Sequence, residues 1–479
     1  MATSPLTSPM EPTNQTPTHV AICPSPGIGH LIPLAEFAKR LVHHHRFNVT
    51  FIIPNDGSPT ESQTQILQTL PKSISSIFLP PVNFDDLPID SKIETRIQLS
   101  VTRSLTSLKE ALKKLAESIR LSALVVDPFG TSALDVGKEL GVSTYIFFTS
   151  TAMALSLLFH MPKIDAMYTC EFRDLPDPVQ LPGCVPVHGR DFPDPFQDRT
   201  NEAYKMFLGN CKHYDLAEGI IVNSFMELEP GAFKALKEGG WCKTPVYPVG
   251  PLVLTGSTSF GDRAECLKWL DGQPSSSVLF VSFGSGGTLS QEQITELALG
   301  LEMSGQKFLW VMRSPNNERA NANYFNVESA EDPFVFLPSG FLDRTKGVGL
   351  MVPSWAPQVE VLSHSSTGGF LTNCRWNSNL ESIAHGVPLI GWPLYAEQKL
   401  NAVLLADDLK VAWRMMPNEN GLVVREEIAK YARGLIAQED GKKLRNKMKE
   451  FKDAADKALS EDGSSTRSIS EVAEKWMKP

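Results

Sequence analysis

The stretch His19-Val-Ala-Ile-Cys23, a helical pattern from His30 to about His44, and then Asn48-Val-Thr-Phe-Ile-Ile53 decide the fold. A β-branched run, a helix and a second such run form a βαβ unit, and its two strands must lie parallel. The rhythm continues through Ser122-Ala-Leu-Val-Val126, Thr144-Tyr-Ile-Phe-Phe148 and Gly219-Ile-Ile-Val222. Each run is continuously apolar rather than alternating, as expected of strands covered by helices on both faces. From Pro251 to Asp262 the chain is polar and breaker-rich, and the rhythm then restarts. Ser277-Val-Leu-Phe-Val-Ser-Phe283, Lys307 to Met312, Gly349 to Val352, Gly368 to Thr372 and Val387 to Gly391 read as strands of a second unit. The expectation is an α/β protein of two doubly wound, Rossmann-like domains, residues 18–252 and 263–458, joined by a linker at 253–262. Residues 1–17, rich in Ser, Thr and Pro, read as a disordered tail, and the aperiodic stretch Ser314 to Ser339 as a mobile surface insertion.

Across 479 residues, 45 Lys and Arg face 54 Asp and Glu, a net charge of −9. Nucleic-acid partners, which call for a basic face, are therefore not expected. The most apolar stretch, Tyr145 to Phe159, falls short of the roughly 20 residues that cross a bilayer, so no membrane insertion is expected. The tail lacks the charged start and apolar core of a signal peptide. Seven scattered cysteines never form a CxxC pair, which disfavours disulfides and zinc and points to a reducing, cytoplasmic setting. The sequons at Asn14 and Asn48 carry no weight without a secretory signal.

Directly after the first strand, Pro24-Ser-Pro-Gly-Ile-Gly-His30 would place His30 at the start of a helix, on the carboxyl edge of the sheet where open α/β sheets bind ligands. Gly27-x-Gly29 has no third glycine, so a nicotinamide fingerprint is incomplete. His30 is a candidate general base. Asp127 ends the strand Leu124 to Val126 and could orient it, or could instead cap the helix from Thr131. No Asp-x-Asp occurs in the chain, so no metal site is expected.

The densest signal runs from Trp355 to Gln398. It comprises Trp355-Ala-Pro-Gln358, then Ser363-His-Ser-Ser-Thr-Gly-Gly-Phe-Leu-Thr-Asn-Cys-Arg-Trp-Asn-Ser378, Glu381, and Pro393-Leu-Tyr-Ala-Glu-Gln398. This resembles the 44-residue signature of plant family 1 UDP-glycosyltransferases. The opening Pro-Ser-Pro-Gly-Ile-Gly-His, Val126-Asp-Pro-Phe129, the loop Phe283-Gly-Ser-Gly-Gly-Thr288 and the closing helices extend it over roughly residues 17 to 477. Within the family the chain resembles the hydroquinone (arbutin-forming) type, for which indoxyl is a comparable acceptor.

The resemblance implies a GT-B arrangement, two domains facing across a cleft, with residues 459–479 a helix packing back on the N-terminal domain. It implies inverting transfer of glucose from UDP-glucose, a co-substrate, to a small phenolic or indolic hydroxyl, with no cofactor, His30 as base and Asp127 as its partner. A monomer is expected. Trp355 would stack on uracil, with Ala356 beside it, and Gln358 and Glu381 would meet the ribose. Asn377, Ser378 and the N–H groups of their helix start would meet the diphosphate, with Ser285, Gly29, Asn373 and Trp376 nearby. Glu397 and Gln398, beside Tyr395, would hold the sugar.

Phe129, Phe148, Thr151, Met153 and Leu157 are acceptor-pocket candidates, although Thr151 could equally cap a helix. Ser378-x-x-Glu381 also reads as a capping box. Three positions depart from the family: Asn373 stands where histidine is usual, Arg375 where glycine is, and Asn379 where threonine is. Arg375 could pair with the diphosphate, or be a compromise at a position wanting positive φ. A weakened UDP-sugar-binding relative and, on fold alone, a Rossmann oxidoreductase stay open as alternatives.

Overall fold

The computed structural model describes residues 18–57, 59–88, 91–254, 265–321 and 332–478. The tail 1–17, most of the expected linker and positions 322–331 of the stretch after Ser314 lie outside them. The first sheet contains β1 (His19–Cys23), β2 (Asn48–Asn55), β3 (Ile74–Pro81), β4 (Leu121–Val126), β5 (Ser143–Phe148), β6 (Gly219–Val222) and β7 (Val246–Pro248), in the order β3-β2-β1-β4-β5-β6-β7. The second contains β8 (Val278–Ser282), β9 (Lys307–Met312), β10 (Gly349–Pro353), β11 (Thr367–Thr372), β12 (Leu389–Gly391) and β13 (Ala412–Arg414), in the order β10-β9-β8-β11-β12-β13. All pairings are parallel.

In each sheet the strand order reverses once, between β1 and β4 and between β8 and β11. Register levels the strand ends at both points, Cys23 opposite Val126 and Ser282 opposite Thr372. A doubly wound sheet leaves its ligand crevice at such a switch point, because the helices leaving the two strands pass to opposite faces. The structure has two of them, and the residues at both meet around one cavity.

The strands read from sequence are present, with ends shifted by at most two residues, and β3, β7 and β13 are additions. β3 is an edge strand whose Ser75, Ser76 and Pro80 are exposed, while β7 and β13 are three-residue edges. Short or polar edges carry little apolar run to detect.

The inner strands of both sheets are buried on both faces, with β1, β4, β6, β8 and β11 free of exposed residues. The last helix, Ser464–Met477, packs on the first sheet. Its Trp476 is 2% exposed and lies 5.0 Å from Tyr145, 6.1 Å from Phe47 and 6.2 Å from Phe37, ring centre to ring centre. Truncating so buried an indole typically costs about 3–5 kcal/mol. All seven cysteines are unpaired. Among the described residues no helix is long and apolar enough to cross a membrane.

Candidate active site

The turn after β1 is built by Gly27, whose φ of 120° caps the helix Ile28–His45 in a conformation that side-chain-bearing residues avoid. That turn sets His30 in the first helical turn, facing the end of β4. His30 Nδ1 stands 2.9 Å from Asp127 Oδ2. The approach is close but not in line, since Nδ1 makes no hydrogen bond of good angle.

Asp127 is fully buried and accepts from Ser25 N (2.7 Å), Ser25 Oγ (2.5 Å) and Phe129 N (3.1 Å). Burial alone would raise its pKa. The adjoining His30 and the Ser25 hydrogen bonds outweigh burial, so the net shift is downward and the carboxylate stays ionised. Asp127 does not cap the following helix, which begins at Ala133 after Ser132. Its carboxylate joins the β1 turn to His30 instead.

His30 opens into a cavity of about 1020 Å³, counting the part open to solvent, between the two domains. Phe129 and Phe148 form part of its apolar wall, with Ile97, Leu158, Pro193 and Pro195. Phe129 meets His30 edge-on at 5.4 Å and Phe207 at 5.2 Å. Three of the acceptor candidates do not line it. Thr151 caps the helix Ala152–Met167 by accepting from Ala154 N at 2.8 Å, and Met153 and Leu157 face the N-terminal core.

Two polar groups in the wall escaped the sequence reading. Ser150 Oγ is buried with no hydrogen-bond partner among the described residues. Glu94 is 8% exposed, and burial, aided by the charges of Asp194 and Glu397 and opposed by a backbone hydrogen bond and Lys92, pushes its pKa up to about 7. No sequence signal marks Glu94, which sits on an ordinary amphipathic helix, Ile93–Arg103.

The second switch point supplies the opposite wall. Asn373, fully buried after β11, donates from Nδ2 to Phe283 O at 2.7 Å and so ties this loop to the glycine-rich loop after β8. Cys374 takes φ 63°, and its carbonyl accepts from both Asn379 Nδ2 and Asn401 Nδ2 at 3.0 Å. Asn379, the third departure from the family pattern, thus pins the turn.

Arg375 is extended, φ −64° and ψ 138°. The positive φ belongs to its neighbour, which removes the backbone reason for reading the arginine as a compromise. Its guanidinium lines the cavity beside Gly29; burial raises the Tyr395 phenol pKa, and the guanidinium offsets only part of that rise. A Cβ on Gly29 would sit 2.4 Å from Arg375 Nη2, so the glycine makes room for the arginine.

The remaining candidates line the same cleft or stand beside it. Trp376 is buried and its Nε1 donates to Asn223 O of the N-terminal domain at 2.7 Å, while Asn377 Nδ2 donates to Gly29 O at 2.9 Å. Gln358 Nε2 bridges Ser378 Oγ (3.0 Å) and Glu381 Oε2 (2.6 Å), and burial pushes Glu381 up to about 7. Ser378 is therefore not the cap of the helix Trp376–His385, whose N-cap is Arg375, and the capping-box reading is corrected. Trp355 is 57% exposed next to buried Ala356, free to stack, and Ser285 is exposed in its loop. Gln398 is fully buried, accepts from Leu394 N and Tyr395 N, and leaves Nε2 unsatisfied in the cavity wall beside Glu397.

Comparisons with known proteins agree with this geometry. A family model described as UDP-glucoronosyl and UDP-glucosyl transferase matches residues 263–420. The chain is 60% identical over 458 residues to the hydroquinone glucosyltransferase of Rauvolfia serpentina, covering 96% of this chain and 97% of that one.

The chain belongs to the plant family 1 UDP-glycosyltransferases.

Among solved structures of this family, a Polygonum tinctorium UDP-glucosyltransferase capable of glucosylating indoxyl, in complex with 3,4-dichloroaniline, superposes with a TM-score of 0.91. It is 53% identical, with 98% of this chain and all of that one covered. Phytolacca americana UGT2, complexed with UDP-2-fluoro-glucose and pterostilbene, gives 0.89 at 51% identity over 97% of this chain and 100% of that one. As a UDP-glucosyltransferase of the GT-B type, the chain takes a UDP-sugar donor and has the two facing Rossmann-like domains expected from its sequence.

Proposed function

We propose that this glucosyltransferase moves glucose from UDP-glucose to the hydroxyl of a small phenolic or indolic acceptor, with inversion at the anomeric carbon and without a metal or other cofactor. The observation that carries this reading is the His30–Asp127 pair on the wall of an apolar cavity between the domains. With Nδ1 turned to Asp127, the opposite ring nitrogen, Nε2, is left for the acceptor. A phenol has a pKa near 10, so it reaches the site neutral. Nε2 takes its proton as the oxygen attacks the anomeric carbon, the bond to UDP breaks, and the ionised Asp127 stabilises the imidazolium that forms. UDP departs as an anion towards Arg375, Asn377 and the N–H groups opening the helix Trp376–His385.

Aromatic walls suit a flat ring, and Glu94 with Ser150 offers it polar partners away from the reacting oxygen. Two relatives support this acceptor class, one being named for hydroquinone and another described as glucosylating indoxyl. Cytoplasmic location and action as a monomer belong to the same proposal. The test is an acceptor panel with UDP-glucose, following UDP release and the anomeric form of the product. Hydroquinone or indoxyl should give β-glucosides, and aliphatic alcohols far less. Turnover confined to aliphatic alcohols, or an α-linked product, would overturn the proposal. Adding NADPH separates the oxidoreductase alternative, for which no nicotinamide oxidation is expected.

A further inference from the structure

Asp194 stands between Pro193 and Pro195, two residues of the acceptor-cavity wall, in the short turn Asp194–Phe196 of the N-terminal domain. It reaches across to the other domain. Its backbone N–H donates to Ala396 O at 3.0 Å, and Ala396 N–H donates back to Asp194 Oδ2 at 2.7 Å. Ala396 lies in the loop after β12, immediately before Glu397 and Gln398. It holds φ 57°, a left-handed conformation that alanine seldom adopts unless its surroundings impose it. From within its own domain the loop is braced on either side of Ala396, by Gln398 Oε1 accepting from Leu394 N and Tyr395 N, by Gln398 N donating to Tyr395 O, and by Asn401 N donating to Glu397 O. The same N-terminal segment grips the C-terminal domain once more, through a buried ion pair of Asp191 with Arg414 at the end of β13.

We infer that Asp194 is a positioning residue for the donor sugar: by its paired hydrogen bonds with Ala396, the acceptor-binding domain sets the loop from which Glu397 and Gln398 meet the sugar. The inference rests on the assignment of Glu397 and Gln398 to the sugar made above. The short segment Pro193 to Phe196 then shapes the acceptor wall with its prolines and the donor loop with its carboxylate. Such a shared element couples the two substrates' affinities. UDP, which lacks the glucosyl group that would touch this loop, should not sense Asp194.

The experiment compares Asp194→Ala, Asp194→Asn and Glu397→Ala in the full-length protein, reading kcat and KM for UDP-glucose and the inhibition constant of UDP. Asp194→Ala should raise the KM for UDP-glucose about tenfold, the scale of one hydrogen bond to a charged group, while the UDP constant stays within about twofold. Asp194→Asn keeps an oxygen that can accept from Ala396 N, and should return the KM to within about threefold of the parent. An unchanged KM in Asp194→Ala, a UDP constant that rises in step with it, or an asparagine variant as impaired as the alanine one overturns the inference. Glu397→Ala reports on the underlying assignment. It should raise the KM for UDP-glucose and spare UDP, and if it leaves the KM unchanged the sugar assignment falls and takes this inference with it.

Discussion

Replacing Arg375 by the glycine usual at its position should weaken UDP-glucose binding. The guanidinium is half-buried in the cleft, between Gly29 of one domain and Gly284 of the other, at the mouth where the diphosphate is proposed to lie. A hydrogen bond to a charged group contributes a net 1.5–3 kcal/mol or so, and partial solvent exposure favours the lower end. At 1.36 kcal/mol per tenfold, about 1.5 kcal/mol is roughly a twelvefold rise in Kd. Glycine recovers nothing in return, because φ at this position is −64° and arginine already fits it. Calorimetric titration with UDP-glucose at low and high salt measures the effect, and the difference between parent and variant should shrink as salt screens the pair. Arg375→Lys keeps the charge without the planar fork and should fall between the two. Unchanged or tighter binding by Arg375→Gly would refute the reasoning, and would return the arginine to the role of an obstacle beside the ligand.

His30→Ala should lower kcat by at least about 100-fold and leave the UDP inhibition constant nearly intact, since a base acts only as the acceptor is deprotonated; near-normal turnover rules it out. Asp127→Asn should also lower kcat, because a neutral amide no longer stabilises the imidazolium, and an unaffected rate would leave Asp127 only its bonds to Ser25 and Phe129. Transfer should survive excess EDTA, and activity that is lost and then restored by Mg²⁺ or Mn²⁺ defeats the metal-free mechanism. Glu94 binds its proton more tightly folded, at about 7, than unfolded, at about 4.5. Stability therefore falls as pH rises between these values and stays lost above them, by up to about 3 kcal/mol. Glu94→Gln should accordingly melt with the parent near pH 4 and above it near pH 8; a variant less stable than the parent at pH 8 contradicts the assigned shift.

The alternation of apolar strands and helices was legible because parallel strands buried on both faces leave unbroken runs such as Leu124 to Val126 and Val278 to Val281. The positions of His30 and Asp127 were legible for a related reason, since Asp127 directly follows the strand end Val126 and is placed by the sheet, and the glycine-bearing turn after Cys23 sets His30 at a helix start on the same edge. Helix faces were harder. The helix Ala152–Met167 is apolar nearly all round, so no stripe told Met153 and Leu157, which face the core, from Ala154 and Leu158, which face the cavity. Backbone conformation was harder still. The tight turn fell on Cys374 rather than Arg375, where two side-chain amides, Asn379 in the following helix and Asn401 in a later one, hold that carbonyl, and neither spacing announces it. Asp194 was invisible for the same reason, its partner Ala396 being 202 residues away.

Trp476 closes the first domain's core from the far end of the chain, and this bears on synthesis. A ribosome making about 5–20 residues per second needs roughly 10 to 45 s to pass from Pro248, where β7 ends, to Trp476. During that interval Phe37, Phe47 and Tyr145 have no indole over them, although every strand of their sheet has already emerged. The nascent N-terminal half must therefore wait with an open apolar face while the whole donor domain is made. Slow decoding or a stall in the second half would lengthen that exposure, which makes the first domain's fate on the ribosome depend on codons hundreds of positions beyond it.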